Sequence, residues 1–446
     1  MAIKGLLYLY IMLTAMVSLM SYKKGIYMVW LTFLFVPTVI LEQSINLRLP
    51  MLLILMLGSV VSELRFYERR DRWREFISDN QKAIILLLFV SFVIVLMSET
   101  VPIGMQLRRV LLEITTFAFA IQTLLLVKED ETAHKKLFYF ICAAIVFNVI
   151  YSVFFEVMLG VNPAGMPLYV LLGIDDNDFI VDMIETQRGG LSFRAQSIYR
   201  HPLSLAQYML VLLPIFLSKG ERTKKFLFVL LIILLIFLSG SRGALVPMGI
   251  ILLMSAKSVV GHFAPKLAVL FILFVVGINF LSDNQRKKID EKIEPFVAGF
   301  AFWDAKKQYS NDISGSSQQM RFNQFDAALV EIEGNPIFGR GYGYCEYWIR
   351  KHNDLHPDLL GFESVLLLYL VERGWLGLLF FFVMAIYIYK LYRVEMSEMS
   401  HAMIIRYVFI GYIISIIMTG VRPLTFLFVC LACSVYYGMT MWQKET

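Results

Sequence analysis

Long apolar runs recur along the whole chain and decide what it can fold into. Each run has about 16 to 27 residues, and a helix needs about 20 residues to cross the hydrocarbon core of a bilayer. Thirteen runs qualify as candidate spans, at 5–21, 25–41, 47–62, 83–98, 107–127, 136–160, 199–217, 224–238, 243–257, 266–281, 364–390, 403–419 and 422–441. The sequence therefore predicts an all-α membrane helix bundle of about 12–13 transmembrane helices.

The composition supports an integral membrane protein. Hydrophobic residues make up 58% of the 446 residues and charged residues 17%, whereas soluble proteins have about 45–50% and about 25%. A transmembrane β-barrel would show alternating segments of about ten residues, which this sequence lacks. The first apolar stretch has no small-x-small cleavage site, so we expect it to remain as the first helix. Residues 1–446 are predicted to form one integral membrane domain.

The connections between the spans differ in their charge, which predicts their orientation. The basic connections, such as "SYKKG", "KEDETAHKK" and "SKGERTKK", fall on alternate loops. Because short cytoplasmic loops carry the excess of Lys and Arg, we place these loops in the cytoplasm. The other connections then face outward, among them "MSETVPIG", 161–198, "SGSR" and 282–363. The predicted location is the bacterial inner membrane, crossed many times.

The outward segment 282–363 is the largest piece outside the predicted spans. Its Phe322, Phe325, Leu329 and Ile332 recur at helical spacing, which predicts an amphipathic helix over about 318–333. Gly334 supplies a stop for this helix, and a proline at 336 prevents its resumption. The glycines of "GRGYGY" then indicate a tight turn or a close backbone approach.

Several arginines lie on the predicted outer face, against the usual charge bias. They are Arg194, Arg200, Arg242, Arg321, Arg340 and Arg422. A guanidinium group binds phosphate oxygens in a bidentate manner and keeps its charge when partly desolvated. Arginines from separate loops would therefore suit a diphosphate. The alternative for each is snorkelling at the interface or capping of a helix, and this alternative is kept for Arg340 and Arg422.

Candidate acids and bases share this face. They are His201, His352, His356, Glu363 and Glu372. His201 can equally mark a helix start before a proline, and Glu363 can equally cap the helix that it precedes. The histidines of "HNDLHPD" lie four residues apart, but a zinc site needs three or four ligands, so no metal is expected.

The sequence lacks the motifs of other enzyme classes. It contains no GxxxxGK[ST], no GxGxxG after a strand, no HExxH and no GxSxG. ATP-driven transport and hydrolase chemistry therefore lose support, and no cofactor and no nucleic-acid partner is expected. Cys430 and Cys433 have CxxC spacing but lie within an apolar run, so core packing is predicted for them.

The motifs of the C-terminal half resemble those of the O-antigen ligase and polysaccharide polymerase superfamily, bacterial inner-membrane enzymes that act on lipid-linked glycans. The resemblance covers about 190–380. It rests on "FRAQSIYRHPLSLAQYML", "SGSRGALV", "MRFNQFDAALVEIEGNPIFGRGYGY" and "ESVLLLYLVERGWLGLL", taken in this order and topology.

The resemblance implies roles for particular residues. Arg194 and Arg321 match the arginines that hold the donor diphosphate in the family, and Arg242 matches its other outer arginine. Arg200 is placed with them in the diphosphate site. Ligases that use lipid A–core usually carry His-Asn where this chain has Glu363 and a serine. The base is therefore expected to be Glu363, or alternatively His352 or His356.

The predicted function is polymerisation of undecaprenyl-diphosphate-linked repeat units on the outer face by a metal-independent, inverting glycosyltransferase. Its partners would be the lipid-linked glycan donor, the glycan acceptor and the bilayer, with a chain-length regulator as a further candidate. The alternative within the family is ligation of O-antigen to lipid A–core, which the departure at Glu363 disfavours. A polysaccharide flippase or transporter is the alternative from another class. It would place charges through the membrane, whereas Glu156 is the main exception to largely uncharged span interiors.

Overall fold

The computed structural model describes most of the chain as helices. The described residues are 2–36, 40–42, 45–46, 48–65, 67–159, 162–163, 194–199, 201–218, 222–255, 318–352, 364–394, 399–420 and 424–442. The α-helices before residue 160 are α1 (Ala2–Met20), α2 (Tyr22–Phe35), α3 (Arg48–Arg65), α4 (Tyr67–Met97), α5 (Ile103–Glu129) and α6 (Ala133–Tyr151). A π-helix, Ser152–Met158, continues α6.

The later helices follow the same apolar pattern. They are α7 (Pro202–Phe216), α8 (Arg222–Leu238), α9 (Arg242–Ser255), α10 (Gln318–Glu331), α11 (Tyr344–His352), α12 (Val365–Val394), α13 (Met399–Thr419) and α14 (Thr425–Met441). The strands within the described residues form one antiparallel pair, β1 (Ile40–Glu42) and β2 (Ile45–Asn46), with Ile40 opposite Asn46.

The prediction of an all-α polytopic membrane protein is confirmed. Five helical stretches of the described chain are long and apolar enough to cross a membrane, namely Arg74–Met97, Ile103–Glu129, Ala133–Met158, Val365–Arg393 and Ala402–Thr419. Five more apolar helices have 10–17 residues. Twelve of the thirteen predicted spans coincide with helices, and the remaining one, 266–281, lies outside the described residues. The total of 12–13 spans stays a prediction.

The predicted span 25–41 ends earlier than expected. α2 stops at Phe35, and Val36 is extended with φ −99° and ψ 130°. The next residue in the sequence is a proline, whose ring disfavours the helical conformation in the residue before it. The apolar run therefore exceeds the helix, because hydropathy does not register this backbone constraint.

The chain divides into two compact units. The first comprises Met1–Ala144 and Ser317–Thr446, and the second comprises Ile145–Ser316. In the first unit, α5 packs on α14, α10 and α11 pack on α12, and α12 packs on α13. In the second unit, α7 packs on α8 and α9. All residues of α7 except Leu203 are buried, as expected for a helix that is apolar on every side.

Loops that the charge pattern assigns to one face lie together in the first unit. Asn335 Nδ2 donates to the carbonyl oxygen of Met97 (2.9 Å), so the loop after α10 contacts the C-terminal end of α4. The hydroxyl of Tyr22 donates to Glu129 Oε2 (2.5 Å), and Trp442 Nε1 donates to the carbonyl oxygen of Val127 (3.2 Å). Predicted outer loops thus meet one another, and so do predicted cytoplasmic ones.

Candidate functional site

Arg194 lies against the turn that connects α8 to α9. Its Nε donates to the carbonyl oxygen of Ser239 (2.9 Å), and an Nη donates to that of Gly240 (3.4 Å). The backbone N–H of Ala195 donates to the carbonyl oxygen of Leu238 (2.9 Å). Carbonyl groups after the last turn of a helix have no intrahelical partners, so Arg194 satisfies part of the C-terminal end of α8.

The same turn begins α9 at Arg242. The carbonyl oxygen of Ser241 accepts from the backbone N–H groups of Ala244 (3.2 Å) and Leu245 (3.1 Å), which closes the first turn of the helix. Gly240, with φ +60°, directs the chain from one helix into the next. A Cβ atom at position 240 would lie 3.3 Å from Arg194 Nε. The structure therefore brings Arg194 to a turn only two residues from Arg242.

Glu156 holds the segment that carries Arg194. Its Oε1 accepts from the backbone N–H of Gln196 (3.0 Å), from that of Ser197 (2.9 Å) and from Asn162 Nδ2 (2.7 Å). Ser197 has φ +53°, a backbone conformation that residues other than glycine rarely adopt. Glu156 is the main charged residue that the sequence analysis found within a predicted span. Its buried carboxylate fixes the backbone beside Arg194.

His201 lies immediately before α7 and marks the start of this helix, which was one of the two interpretations of this residue. Its Nδ1 accepts from the backbone N–H of Leu203 (3.0 Å), and Pro202 occupies the first helical position. This is the arrangement of a helix N-cap. Arg200, the residue before it, lies outside the described residues.

Arg321 lies in the first turn of α10, in the first unit. The structure describes its backbone only. At the other end of the helix, Arg340 Nε donates to the carbonyl oxygen of Glu331 (2.5 Å) and approaches Glu331 Oε1 (3.3 Å). Arg340 therefore caps α10. Helix capping was one of the structural roles that the sequence analysis kept for this arginine.

Of the three candidate bases, His352 lies within the described residues. Its ring stacks on Trp348 with centroids 3.9 Å apart, and its Nδ1 is 3.1 Å from the carbonyl oxygen of the same residue. Because a carbonyl only accepts, Nδ1 carries the proton and the neutral ring has its lone pair on Nε2. Glu363 and His356 lie outside the described residues.

The loop after α10 inserts into a break in α12. Gly374 has φ +63° and ψ −166°, so the helix is interrupted there. The carbonyl oxygens of Val371 and Glu372 accept from the N–H groups of residues 340 and 341 (2.8 and 2.9 Å). The N–H groups of residues 375 and 376 donate to the carbonyl oxygens of residues 336 and 337 (3.0 and 3.1 Å). The segment 336–341, which runs into the "GRGYGY" turn, thus supplies backbone hydrogen-bond partners for the groups that the helix leaves unpaired at its break.

A cavity of about 400 Å³ lies beside this break, within the first unit. Its polar lining consists of Arg109, Glu113, Thr116, Tyr342, Cys345, Glu346, Tyr369, Glu372, Arg373 and Tyr412. Its apolar lining consists of Leu87, Leu112, Phe117, Leu368, Phe380, Phe381, Met384, Ala385, Ile388, Phe409 and Phe426.

An ion pair between a buried arginine and a partly exposed glutamate lies in the cavity wall. Arg373 binds Glu113, and its guanidinium carbon lies 4.2 Å from the ring centroid of Tyr342 and 4.0 Å from that of Tyr369. The expectation of largely uncharged span interiors was therefore incomplete, because Glu113 and Arg373 fall within predicted spans. An ionisable group at such a position is costly and usually functional.

Three arginines surround one carboxylate at the polar end of the cavity. Arg108, Arg109 and Arg350 all bind Glu346, with Arg108 Nη2 3.2 Å from Oε1. Burial raises the pKa of the Glu346 carboxyl, but Arg109, Arg350 and Arg108 outweigh it, and its pKa falls below the ordinary value of 4.5. Glu346 is therefore ionised at neutral pH, and the cluster of these four residues carries a charge of +2.

Sequence reasoning missed this cluster although a signal was present. Arg108 and Arg109 begin the predicted span 107–127 on the side that the charge pattern assigns to the exterior. The argument that grouped the other outer arginines, their position at the outer ends of predicted spans, applies equally to these two. The contact of both with Glu346, 237 residues or more along the chain, had no sequence signal.

Within the described residues, no group of three or more His, Cys, Asp or Glu side chains is placed to hold a metal ion. The absence of a metal requirement remains a prediction. Cys430 and Cys433 are buried and unlinked, as predicted for core positions.

Comparison with known proteins gives a family match for the central part of the chain. Residues 227–382 match the family model described as O-antigen ligase. This segment begins in α8 and includes the turn at Gly240, α10, the "GRGYGY" turn and the break in α12. No curated protein matches the chain.

Proposed function

We propose that this chain, which belongs through residues 227–382 to the O-antigen ligase and polysaccharide polymerase superfamily, polymerises undecaprenyl-diphosphate-linked oligosaccharide repeat units on the outer face of the bacterial inner membrane. The observation that carries the proposal is the turn at Gly240, which lies within the matched segment two residues before Arg242. Arg194 Nε donates to the carbonyl oxygen of Ser239 in this turn. The two motifs that carry Arg194 and Arg242 thus lie next to each other within the second unit.

In this mechanism the arginines bind the leaving group. Arg194, Arg200, Arg242 and Arg321 neutralise the diphosphate of the donor, and the N-terminal end of α9 adds backbone N–H groups to the site. The bond between the anomeric carbon and the diphosphate oxygen breaks as negative charge develops on that oxygen. Guanidinium groups stabilise this charge in the way that a divalent ion does in other transferases, so no metal is required.

A base completes the reaction at the acceptor. It takes the proton of an acceptor sugar hydroxyl as the hydroxyl oxygen attacks the anomeric carbon from the side opposite the diphosphate, which inverts the configuration. Glu363 is the first candidate, with His356 and His352 as alternatives. A His352 ring that donates from Nδ1 to the Trp348 carbonyl would have Nε2 free to take this proton.

Polymerisation is preferred over ligation because Glu363 stands where ligases of the family carry histidine. The experiment uses purified protein and a lipid-linked repeat unit from the host organism, with EDTA present and lipid A–core added to half of the samples. A ladder of products without lipid A–core supports a metal-independent polymerase. A single shifted band that requires lipid A–core would instead identify a ligase.

The diphosphate assignment is tested with Arg321→Ala. We expect this variant to lose product formation while it still inserts into the membrane, because a transition-state charge loses its partner. The matched control is Asp326→Ala, which removes an exposed charge from the same helix and should leave activity unchanged. Full activity of Arg321→Ala would show that this arginine does not bind the donor diphosphate.

A further inference from the structure

The cavity beside the break in α12 is lined by α5, α12 and α13, within the first unit. Its polar side chains lie toward the helix ends that the charge pattern assigns to the exterior. Glu113 lies ten residues after the start of α5, and Tyr412 lies seven residues before the end of α13. These separations correspond to roughly 15 Å and roughly 10 Å of helix. The polar part of the cavity is therefore within reach of a substrate that approaches from the outer face.

Two tyrosine hydroxyl groups of the lining have no hydrogen-bond partner among the described residues. They belong to Tyr369 and Tyr412, and Tyr412 is only 6% exposed. A buried tyrosine hydroxyl normally has a partner, because an unpaired buried polar group destabilises the fold. These two hydroxyl groups can therefore bind a polar group of a ligand inside the cavity.

The same wall offers both hydrogen-bond donors and hydrogen-bond acceptors. Arg373 Nη2 donates to Glu113, which is the one hydrogen bond of this guanidinium group among the described residues. The carboxylate of Glu372 accepts from the backbone N–H of Cys345 (3.3 Å). A guanidinium group has five N–H donors and a carboxylate has about four acceptor positions, so both groups keep unused capacity. A ligand hydroxyl both donates and accepts, and a ligand with several hydroxyl groups can bind to both.

The ionisable side chains around the cavity nearly balance in charge. The lining contributes two arginines and three glutamates, a formal charge of −1, namely Arg109, Arg373, Glu113, Glu346 and Glu372. Including the two further arginines that bind Glu346 from outside the lining changes this value to +1. Neither value favours a multiply charged anion. The lining therefore favours an uncharged ligand.

Aromatic rings form much of the remaining lining. They belong to Phe117, Tyr342, Tyr369, Phe380, Phe381, Phe409, Tyr412 and Phe426. A sugar ring presents C–H groups on its faces and hydroxyl groups around its edge, so it packs on aromatic rings while its hydroxyl groups reach polar side chains. A lipid chain would pack on the same rings but would leave the polar groups of the wall unpaired.

We propose that this cavity binds an uncharged sugar ring of the acceptor glycan. Its hydroxyl groups contact Tyr369, Glu372, Arg373 and Tyr412, and its C–H faces pack on the aromatic lining. The cavity volume of about 400 Å³ falls in the range of ligand sites. The inference rests on the proposed function, because it assigns the acceptor to this cavity, and it leaves the candidate bases unchanged.

The test measures binding of the free oligosaccharide repeat unit of the host organism, released from its lipid diphosphate. Saturation-transfer NMR uses the full chain in lipid nanodiscs, so that no glycoside detergent competes. We expect Tyr369→Phe and Tyr412→Phe each to weaken binding roughly threefold to tenfold, because each loses one hydrogen bond and keeps its ring. Their melting temperatures should match that of the wild type.

The matched control is Tyr389→Phe, which removes a hydroxyl from α12 outside the cavity lining and should leave the affinity unchanged. Wild-type affinity of both Tyr369→Phe and Tyr412→Phe would overturn the proposal. An oligosaccharide that receives no saturation from the wild type would also overturn it.

Competition defines the class of ligand. Phosphatidylglycerol and undecaprenyl phosphate, each added to the nanodiscs, should leave the affinity for the oligosaccharide unchanged, because the proposed contacts are with hydroxyl groups. Loss of the oligosaccharide signal on addition of either lipid would overturn the proposal in favour of a lipid site.

A single-transfer assay separates this site from the proposed function. It uses the lipid-linked repeat unit as donor and the free oligosaccharide as acceptor. We expect Tyr412→Phe to raise KM for the acceptor roughly threefold to tenfold and to leave KM for the donor unchanged. An unchanged acceptor KM would contradict the sugar site alone. Oligosaccharide binding by a wild type that transfers no glycan would support the sugar site and contradict the proposed function.

Discussion

At the scale of single residues, Arg194 has a structural role at the end of α8 and is also one of the arginines proposed to bind the donor. Its guanidinium binds the carbonyl oxygens of Ser239 and Gly240 and so closes the end of α8. A group that is fixed in this way loses little conformational entropy when it binds an anion. Substitutions at the turn should therefore affect both stability and the affinity for the donor.

Gly240→Ala tests this coupling. The residue has φ +60°, and an added Cβ would press on Arg194 Nε. We expect a loss of about 1–2 kcal/mol in stability from the left-handed backbone, together with weaker donor binding. The melting temperature and KM for the lipid-linked donor measure the two effects.

The matched control is Gly249→Ala in α9, where an added Cβ would meet no atom within 4 Å. This change should raise stability slightly, because alanine favours a helix over glycine. If Gly240→Ala leaves KM unchanged, the turn does not position Arg194 for the donor.

Glu346 gives a prediction about pH. Its pKa in the folded protein is below the ordinary value of 4.5 because of its three arginines. The stability that its ionised form contributes is therefore complete above about pH 4.5 and is lost as the pH falls through the lower, folded-state pKa. Glu346→Gln should reduce the melting temperature at pH 7, and its difference from the wild type should shrink below pH 4.5.

Thermal unfolding between pH 3.5 and 7 measures this difference, with Glu131→Gln as a control at an exposed position. A difference that stays constant over this range would contradict the role of the arginines in holding Glu346 ionised.

Individual site residues were only partly predictable from the sequence. The positions of Arg194 and Arg242 follow from charges at the ends of apolar runs, a signal that hydropathy contains. The contacts of Glu346 with Arg108 and Arg109 do not, because they join segments more than two hundred residues apart. For Arg200, His356 and Glu363, the roles remain predictions from the resemblance.

At the scale of elements, the break in α12 is the feature that hydropathy could not reveal. The run "ESVLLLYLVERGWLGLL" reads as one continuous span, yet Gly374 interrupts it with a conformation that is nearly restricted to glycine. The sequence predicted a tight turn or a close backbone approach at "GRGYGY", and in the structure the backbone of that turn approaches this break. A Cβ at position 339 would lie 2.6 Å from the backbone nitrogen of Gly374.

Gly374→Ala should be among the most destabilising substitutions in the chain. The new Cβ would clash with the carbonyl oxygen of Ile337. The alanine would also have to adopt a positive φ. We expect a loss on the order of 3 kcal/mol, from backbone strain and overpacking together. The yield of monodisperse protein and its melting temperature provide the measurement.

The control for this change is Gly334→Ala, where the structure leaves open space around an added Cβ. Its stability should be close to that of the wild type. Wild-type stability of Gly374→Ala would mean that α12 can form a continuous helix without the turn.

At the scale of the whole molecule, the orientation remains a prediction that rests on the basic loops. Contacts within the first unit agree with the grouping of those loops: Lys23 is 3.8 Å from Glu129, so two predicted cytoplasmic connections meet. Helix existence was predictable because apolar length is a strong signal. Helix ends were less predictable, because they depend on the backbone constraints of single residues. Val36, which is extended before a proline, is an example.

Reporter fusions test the orientation. Green fluorescent protein joined after residue 442 should fluoresce, and alkaline phosphatase joined after residue 240 should be active, because the former works in the cytoplasm and the latter outside it. Phosphatase joined after residue 221, in a predicted cytoplasmic loop, is the inactive control. An active phosphatase at 221 with an inactive one at 240 would reverse the predicted topology.

The pairing of the loop at 336–341 with the break in α12 has a consequence for how related chains can diverge. Surface loops normally tolerate insertions and deletions. Here four backbone hydrogen bonds fix the register between the loop and the helix, so one added residue would displace every partner. We therefore expect homologous chains to keep a constant length between Asn335 and Gly343, and to accommodate differences in glycan structure through length changes elsewhere in the outer segment.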